Sequence, residues 1–197
     1  MELFVLTVPD DMKGEHDILL SLFEEGLPVL HVRKPGYGRE QYENWISCIP
    51  EKYHKCLVLH NYWDLANKYA VKGIHGCSED FPVKNRSRSC SCHSFNELLQ
   101  LTHNYDYCFL SPVFNSISKK GYRAAFSHSD LSKFLMHYGS RISVVALGGI
   151  DEANIMQVRE MGFDGAAVLG ALWENSGRDA VVNFNKMREI LCKTPVC

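Results

Sequence analysis

The sequence ISVVAL at residues 142–147 runs directly into GGID at residues 148–151, and GAAVL at residues 165–169 runs into Gly170 in the same way. Short, nearly continuous apolar runs are typical of parallel strands that are covered on both faces. Paired glycines followed by Asp151 indicate a strand end and a helix start, since Asp is a preferred N-cap residue. We therefore predict two strand-to-helix units in the last third of the chain.

The same pattern repeats toward the N-terminus. Further short apolar runs occupy residues 2–8, 28–32, 56–60, 73–75, 89–92 and 107–110, which makes eight strand candidates with the two above. Amphipathic stretches with one apolar face lie between them and predict helices over residues 16–25, 94–101, 153–161 and 180–191. Eight strands alternating with helices predict a (β/α)₈ TIM barrel, and the strand count favours it over an open doubly wound sheet.

The chain of 197 residues is close to the lower limit of roughly 200 residues for such a barrel, so one element must be trimmed. Residues 76–88 contain Pro82 and little apolar periodicity. We predict that the fourth helix is shortened or missing there. No linker or repeat interrupts the pattern, so residues 1–197 are expected to form a single domain.

Composition excludes several classes of protein. Hydrophobic residues make up 46% and charged residues 22%, which is typical of a globular chain with a sizeable core. The net charge of −2 provides no basic field for nucleic acid, and a mean hydropathy of −0.18 without a long apolar run argues against a membrane span. Residues 1–11 lack a signal-peptide pattern, so we expect a cytoplasmic protein with reduced cysteines. Cys90, Cys92 and His93 form only a weak metal motif, which alternation along a strand explains as well.

Polar side chains follow several of the predicted strands. In a TIM barrel the active site lies at the carboxyl ends of the strands, so residues there are candidates for substrate contact. The second to fifth strands end near the following residues: His31, Arg33, His60, Asn61, His75, Glu79, Asp80 and His93. A single histidine at a strand end is more often a hydrogen-bonded core residue, but several histidines and an arginine together favour a site.

Two segments predict binding of an anion. Gly148–Gly149 and Leu169–Gly170 end the seventh and eighth strands, where backbone N–H groups and helix N-termini of this barrel bind phosphate. The alternative is that the glycines only permit a tight turn. The loop SPVFNSISKKGY at residues 111–122 carries Ser116, Ser118 and Lys119, which suit contact with an anionic substrate; the alternative there is a solvated basic loop.

These segments resemble the thiamine phosphate synthase and TenI superfamily of small TIM barrels over nearly the whole chain. The resemblance is carried by the His-x-Arg segment at residues 31–33 and by LVLHNYWDLA, GIHGCSED, SCHSFNEL, SPVFNSISKKG and VVALGGIDEANIMQV. It implies a thiazole phosphate substrate whose phosphate lies on the backbone of Gly148–Gly149 and Leu169–Gly170. It also implies contact between substrate and the loop at Ser116, Ser118 and Lys119, and a homodimer.

The two branches of the superfamily differ in chemistry, and this chain departs from the synthase pattern. The synthase joins a pyrimidine diphosphate to a thiazole phosphate with Mg²⁺ held by two aspartates, and its second strand ends Gln-x-Arg-x-Lys. Here His31, Arg33 and Pro35 occupy those positions, so the lysine is lost. The synthase's third strand ends Asn-Asp, where this chain has His60-Asn61, while Asp80 matches the second metal-binding aspartate.

The TenI-type branch aromatises a thiazole carboxylate phosphate by moving a proton and needs no metal. In that branch the histidine that matches His93 transfers the proton, which a neutral imidazole does well near pH 7. Arg33 and Lys119 would hold anionic groups of the substrate, with His31 and Asn61 beside them. We therefore expect a thiazole tautomerase without a cofactor; the alternatives are a Mg²⁺-dependent thiamine phosphate synthase with Asp80 as a metal ligand, or a non-catalytic protein that binds thiazole phosphate.

Overall fold

Eight parallel strands form a closed barrel in which each strand pairs with its neighbours in chain order. The computed structural model describes residues 1–78, 81–82, 84–115, 123–139 and 142–192. The strands are β1 (Glu2–Leu6), β2 (Val29–Val32), β3 (Leu57–Leu59), β4 (Gly73–His75), β5 (Ser87–Cys92), β6 (Tyr107–Leu110), β7 (Ser143–Leu147) and β8 (Gly165–Val168). Each overlaps one apolar run of the sequence, so the predicted TIM barrel is confirmed.

Helices cover the outside of the barrel. They are α1 (Glu15–Glu24), α2 (Arg39–Ser47), α3 (Leu65–Lys68), α4 (Phe95–Leu99), α5 (His128–His137), α6 (Ile155–Glu160), α7 (Gly170–Trp173) and α8 (Ala180–Cys192), with 3-10 turns at Glu51–Cys56 and Glu174–Gly177. Their apolar faces pack on the outer face of the sheet and form the larger of two hydrophobic clusters. The four predicted helices correspond to α1, α4, α6 and α8.

The connection from β4 to β5 differs from the others. None of the described residues in it, 76–78, 81–82 and 84–86, is helical. Instead the Arg88 guanidinium donates hydrogen bonds to the carbonyls of Ser78 (3.1 Å) and Phe81, which ties this connection to the foot of β5. The prediction of a shortened or missing fourth helix is confirmed for these residues, whereas the single domain over residues 1–197 stays a prediction.

The inside of the barrel is filled by side chains from every second strand residue. Leu6 pairs with His31, which in turn pairs with Val58, so all three side chains point to the same face. The smaller hydrophobic cluster lies on this inner face and consists of Phe4, Leu6, Val29, Val58, Tyr107, Phe109, Val145 and Ala167. The register therefore places His31 inside the barrel, on top of an apolar layer. No helix among the described residues is long and apolar enough to span a membrane.

Candidate active site

Three histidines from consecutive strands meet inside the barrel near its carboxyl end. His31 lies on β2, His75 is the last residue of β4, and His60 follows β3, where continued pairing sets it beside His75. The His60 and His75 rings stack with their centroids 4.2 Å apart, and His31 Nδ1 lies 2.9 Å from His60 Nε2. The sequence places these residues at separate strand ends, and no local pattern in it predicts that they touch.

Hydrogen bonds hold the histidine rings in place. His31 Nε2 lies 2.8 Å from the Tyr107 hydroxyl, while His75 Nδ1 and Nε2 lie 2.8 Å and 3.0 Å from the hydroxyls of Ser89 and Ser91. Phe109 packs against the rings of His31 and His75, with centroids 4.6 Å and 5.1 Å away. The cluster thus sits on an aromatic floor, with His31 and His75 buried and His60 half-buried.

Burial keeps these imidazoles neutral near pH 7. Desolvation is the largest cause that lowers the pKa of each ring, and it lowers the pKa of His75 to about 4. The neighbouring rings lower the pKa of His31 and His60 further, and the positive charge of Arg33 does the same for His60 and His75. Arg33 therefore lies close enough to the cluster to act on it electrostatically.

Arg33 follows β2 with a half-buried side chain. Its backbone is fixed by Thr7 after β1, whose hydroxyl donates to the Arg33 carbonyl at 3.1 Å and accepts its N–H at 2.8 Å. The next residue, Lys34, points inward: its ammonium donates to the Glu15 carboxylate at 2.6 Å and to the Asp10 carbonyl at 2.9 Å. Lys34 therefore does not replace the anion-binding lysine that is lost at Pro35.

His93 lies directly after β5 with an exposed side chain. Its Nδ1 is 3.0 Å from the Ser111 carbonyl, which can only accept, so Nδ1 carries the proton and Nε2 is left as the base. Its backbone N–H donates to the Glu97 carboxylate at 2.8 Å, and the Glu97 N–H donates to the side chain of the N-cap residue Ser94 at 3.2 Å, so Glu97 and Ser94 together cap the start of α4. The ring is thus held at a strand-to-helix turn, and its role in proton transfer stays a prediction.

The Gly148–Gly149 turn has two reasons to contain glycine. Both residues have positive φ (104° and 66°), and a Cβ on Gly149 would lie 2.1 Å from the Asn115 carbonyl oxygen. The loop after β6 packs on this turn, with Phe114 N–H donating to the Gly148 carbonyl at 3.0 Å. Asn154 Nδ2 donates to the Gly149 carbonyl at 2.8 Å. The tight turn therefore explains part of the requirement for glycine at these two positions, and phosphate binding would be a further reason for it.

Backbone donors remain available at this turn. Among the residues with described structure, no acceptor is bonded to the N–H of Gly148 or of Gly149. Leu169 follows β8 directly, and Gly170 begins α7. Because β7 and β8 are neighbours, both segments lie at the same sector of the barrel mouth.

The remaining predicted residues divide into two groups. Asn61 lies half-buried after β3, beside His60. Five candidates lie outside the described residues, so their predicted roles stay predictions: Glu79, Asp80, Ser116, Ser118 and Lys119. Cys90 and Cys92 lie on β5, as the strand interpretation of that motif expects.

Comparison with known proteins agrees with this architecture. The family model described as thiamine monophosphate synthase matches residues 4–172. The thiamine-phosphate synthase of Desulfitobacterium hafniense (strain Y51) is 30% identical over 174 residues, which are 81% of this chain and 83% of the relative. That of Lysinibacillus sphaericus is 27% identical over 183 residues, 86% of this chain and 85% of the relative.

A solved structure is also similar over the full length. The thiamine phosphate pyrophosphorylase from Bacteroides thetaiotaomicron superposes with a TM-score of 0.81 at 33% identity, covering 97% of this chain and 98% of that one. The family model covers most of this chain, and the superposition covers nearly all of both chains. The chain belongs to the thiamine monophosphate synthase family.

Proposed function

We propose that this protein is a thiamine-phosphate synthase, a transferase of thiamine biosynthesis that joins hydroxymethylpyrimidine diphosphate to thiazole phosphate. The observation that carries the proposal is agreement over 81–86% of the chain with relatives named thiamine-phosphate synthase. A solved thiamine phosphate pyrophosphorylase agrees over 97% of the chain at 33% identity. The comparisons thus favour the synthase, which sequence analysis gave as the alternative, over the thiazole tautomerase that it expected.

The thiazole phosphate would bind at the ends of β7 and β8. The available N–H groups of Gly148 and Gly149 and the adjoining Leu169–Gly170 segment suit a phosphate, since backbone donors approach an anion closely where no side chain intervenes. The predicted contacts from Ser116, Ser118 and Lys119 would add hydroxyl and ammonium donors.

The diphosphate would bind at the ends of β2 and β3. In the reaction the thiazole nitrogen forms a bond to the pyrimidine methylene carbon while the bond from that carbon to diphosphate breaks. Arg33 supports this step, because its backbone is fixed by Thr7 and its guanidinium can stabilise the negative charge that develops on the leaving group. Asn61 would contact the pyrimidine half of the substrate, whereas His31 is fully buried and would act on it only through His60, whose Nε2 lies 2.9 Å from His31 Nδ1.

Magnesium fits this end of the site only weakly. Mg²⁺ usually binds through one or two carboxylates together with substrate phosphates. Here the β3 end offers the neutral amide oxygen of Asn61, and the one carboxylate expected from the family pattern is Asp80. The ion would neutralise charge on the diphosphate, with these two residues as its protein ligands.

Tautomerisation of a thiazole carboxylate phosphate remains the second candidate. His93 favours it, because its proton is fixed on Nδ1 and Nε2 is left as a base. The loss of a carboxylate at Asn61 and of a lysine at Pro35 also favours chemistry that needs neither a metal nor a diphosphate.

A two-substrate assay separates these functions. We expect thiamine phosphate and diphosphate to form in equal amounts from the two substrates in the presence of Mg²⁺. Conversion of the thiazole tautomer alone, without condensation, would replace the synthase by the tautomerase. Binding of thiazole phosphate with neither reaction would overturn both in favour of a non-catalytic binding protein.

A further inference from the structure

We propose that His31, His60 and His75 form a binding site for a divalent transition-metal ion of the Zn²⁺ type inside the mouth of the barrel. One nitrogen from each ring can be chosen so that all three lie within 4.8 Å of one another. In the described part of the chain, three potential metal ligands converge in this way at this place alone. The proposal is independent of the reaction proposed above.

The spacing of the ring nitrogens is close to that of a metal site. Zn–N bonds of about 2.1 Å in a tetrahedral arrangement put ligand nitrogens about 3.4 Å apart. His31 Nδ1 and His60 Nε2 are 2.9 Å apart, so they need to separate by only about half an ångström. The three ligand nitrogens lie within 4.8 Å of one another, so the His75 nitrogen needs to move inward by up to about 1.4 Å. Its ring must also tilt out of the stack on His60, so that the in-plane lone pairs of the two rings converge on the metal.

The outer hydrogen bonds select the ligand atoms. A histidine that binds a metal nearly always engages its other ring nitrogen in a second hydrogen bond, which fixes the tautomer. The Tyr107 hydroxyl engages His31 Nε2 and leaves Nδ1 for the metal. The buried Ser89 hydroxyl engages His75 Nδ1, whereas the Nε2 partner is the exposed Ser91, whose hydroxyl can rotate away. His60 would bind through Nε2.

The ligand set determines the class of metal. Neutral imidazoles suit Zn²⁺, Co²⁺, Ni²⁺ and Cu²⁺, whereas Mg²⁺ requires oxygen ligands. Three protein ligands with an open fourth position are the arrangement of catalytic rather than structural zinc sites. This site is therefore distinct from the carboxylate Mg²⁺ site of the synthase pattern, which would use Asn61 and Asp80.

Arg33 determines what occupies the fourth position. Its positive charge lies near His60 and His75 and opposes a bare cation, but it favours a metal that carries an anionic oxygen ligand. His60 is half-buried and faces the mouth, so such a ligand can enter from solvent. A phosphate oxygen or a carboxylate would satisfy the metal and Arg33 together.

Metal titration of the untagged protein, freed of metal with a chelator, tests the proposal directly. We expect one Co²⁺ per chain, with the visible absorption of a tetrahedral ion and without the near-ultraviolet charge-transfer band of thiolate ligation. Zn²⁺ should displace the Co²⁺. Inorganic phosphate should tighten binding, because it supplies the anionic fourth ligand.

The variants follow from the family pattern. His31→Gln and His60→Asn introduce the residues that the synthase pattern has at these positions, so both should fold, and circular dichroism checks this. Each should weaken Co²⁺ binding by more than the roughly 10–100-fold typical of losing an outer hydrogen bond, and Tyr107→Phe should fall within that range. His137→Gln on the surface of α5 and Cys92→Ala on β5 are matched controls that should bind as the parent does.

Two results would overturn the proposal. One is the absence of Co²⁺ binding to the folded parent protein, which would leave the rings as a hydrogen-bonded network of neutral histidines. The other is binding that persists in His31→Gln and His60→Asn or is lost in Cys92→Ala, which would place the metal elsewhere. Neither result bears on the synthase assay, so the two proposals can fail separately.

Discussion

Gly170 is the residue at which the phosphate site can be tested most cleanly. At Gly149 any side chain collides with the Asn115 carbonyl, so a substitution there disrupts the turn whether or not phosphate binds. We predict that Gly170→Asp weakens thiazole phosphate binding by at least about tenfold relative to Gly170→Asn, because the two side chains differ in charge but hardly in size. Isothermal titration of both variants measures the difference; equal affinities would place the phosphate elsewhere.

The structural and the chemical contribution of His93 can be measured separately. His93→Asn can keep a donor to the Ser111 carbonyl, but an amide cannot carry a proton between substrate atoms. If His93 is the general acid–base group, both His93→Asn and His93→Ala should lower kcat for tautomerisation by about 10²–10⁴-fold with little change in KM. A merely structural histidine instead predicts normal kcat and a lower melting temperature in the alanine variant alone.

Asn61 is the residue that limits magnesium binding in the synthase proposal. Asn61→Asp adds the second carboxylate of the family pattern, and we expect it to lower the Mg²⁺ concentration needed for half-maximal condensation. Asp80→Ala should raise that concentration. A rate that is unchanged in EDTA, with no response to either variant, would contradict a magnesium-dependent transfer and favour the tautomerase.

At the scale of elements, a buried ion pair joins the ends of β1 and β2 to the helices behind them. Lys34 and Glu15 are 0% and 2% exposed, and the Trp45 indole also donates to Glu15 at 3.2 Å, so one carboxylate links α1, α2 and the segment that follows β2. Because Lys34 is adjacent to Arg33, this pair also helps to fix the backbone of Arg33.

Removal of Lys34 should therefore be costly. We predict that Lys34→Met lowers the free energy of unfolding by about 3–5 kcal/mol, since it leaves the Glu15 carboxylate buried without its partner. The matched control is Arg39→Met, which removes the ion pair with Asp64 whose partners are 49% and 52% exposed and which should cost far less, because solvent screens the pair. Urea denaturation measures both. Similar losses of unfolding free energy in the two variants would mean that the buried ion pair stabilises the protein no more than the exposed pair does.

The elements also show how far the sequence determines this structure. Apolar runs locate all eight strands, because strands covered on both faces need continuous hydrophobic residues. Strand β5 begins two residues before its predicted start, since Ser87 and Arg88 are polar and carry no hydrophobic signal. Helices α3 and α7 have only four residues each, too few for a periodic pattern to appear.

The candidate site was predicted less completely than the fold. Glycine pairs and strand-end residues identify the barrel mouth, because local sequence determines where each strand ends. The contact of His31, His60 and His75 depends on the register between β2, β3 and β4, which no local pattern specifies. The signal that could have revealed it is one histidine at the end of each of three consecutive strands. Side chains alternate between the two faces of a strand, so His60 would lie on the same inner face as Val58.

For the whole molecule, the same three histidines make folding sensitive to acid. Their pKa values in the folded protein lie below the ordinary value of about 6.5 that the unfolded chain has, so the unfolded state binds more protons as the pH falls. Stability is therefore complete above about pH 6.5 and decreases below it, and for His75 the loss continues until its folded pKa of about 4. His75 alone would cost about 3 kcal/mol by that point.

We predict that the free energy of unfolding, measured with urea in the presence of a chelator, falls steadily from about pH 7 to about pH 5. Paired carboxylates lose their charge only at lower pH, so they do not produce this slope. His75→Asn should be less stable at neutral pH, because it disturbs the Ser89 bond, but should show a shallower slope since one fewer proton is taken up on unfolding. His137→Asn, at an exposed position on α5, should keep the parent slope. If the free energy of unfolding of the parent protein does not change over this range, the histidines take up as many protons in the folded barrel as in the unfolded chain. The buried, stacked arrangement of His60 and His75 does not accommodate those charges.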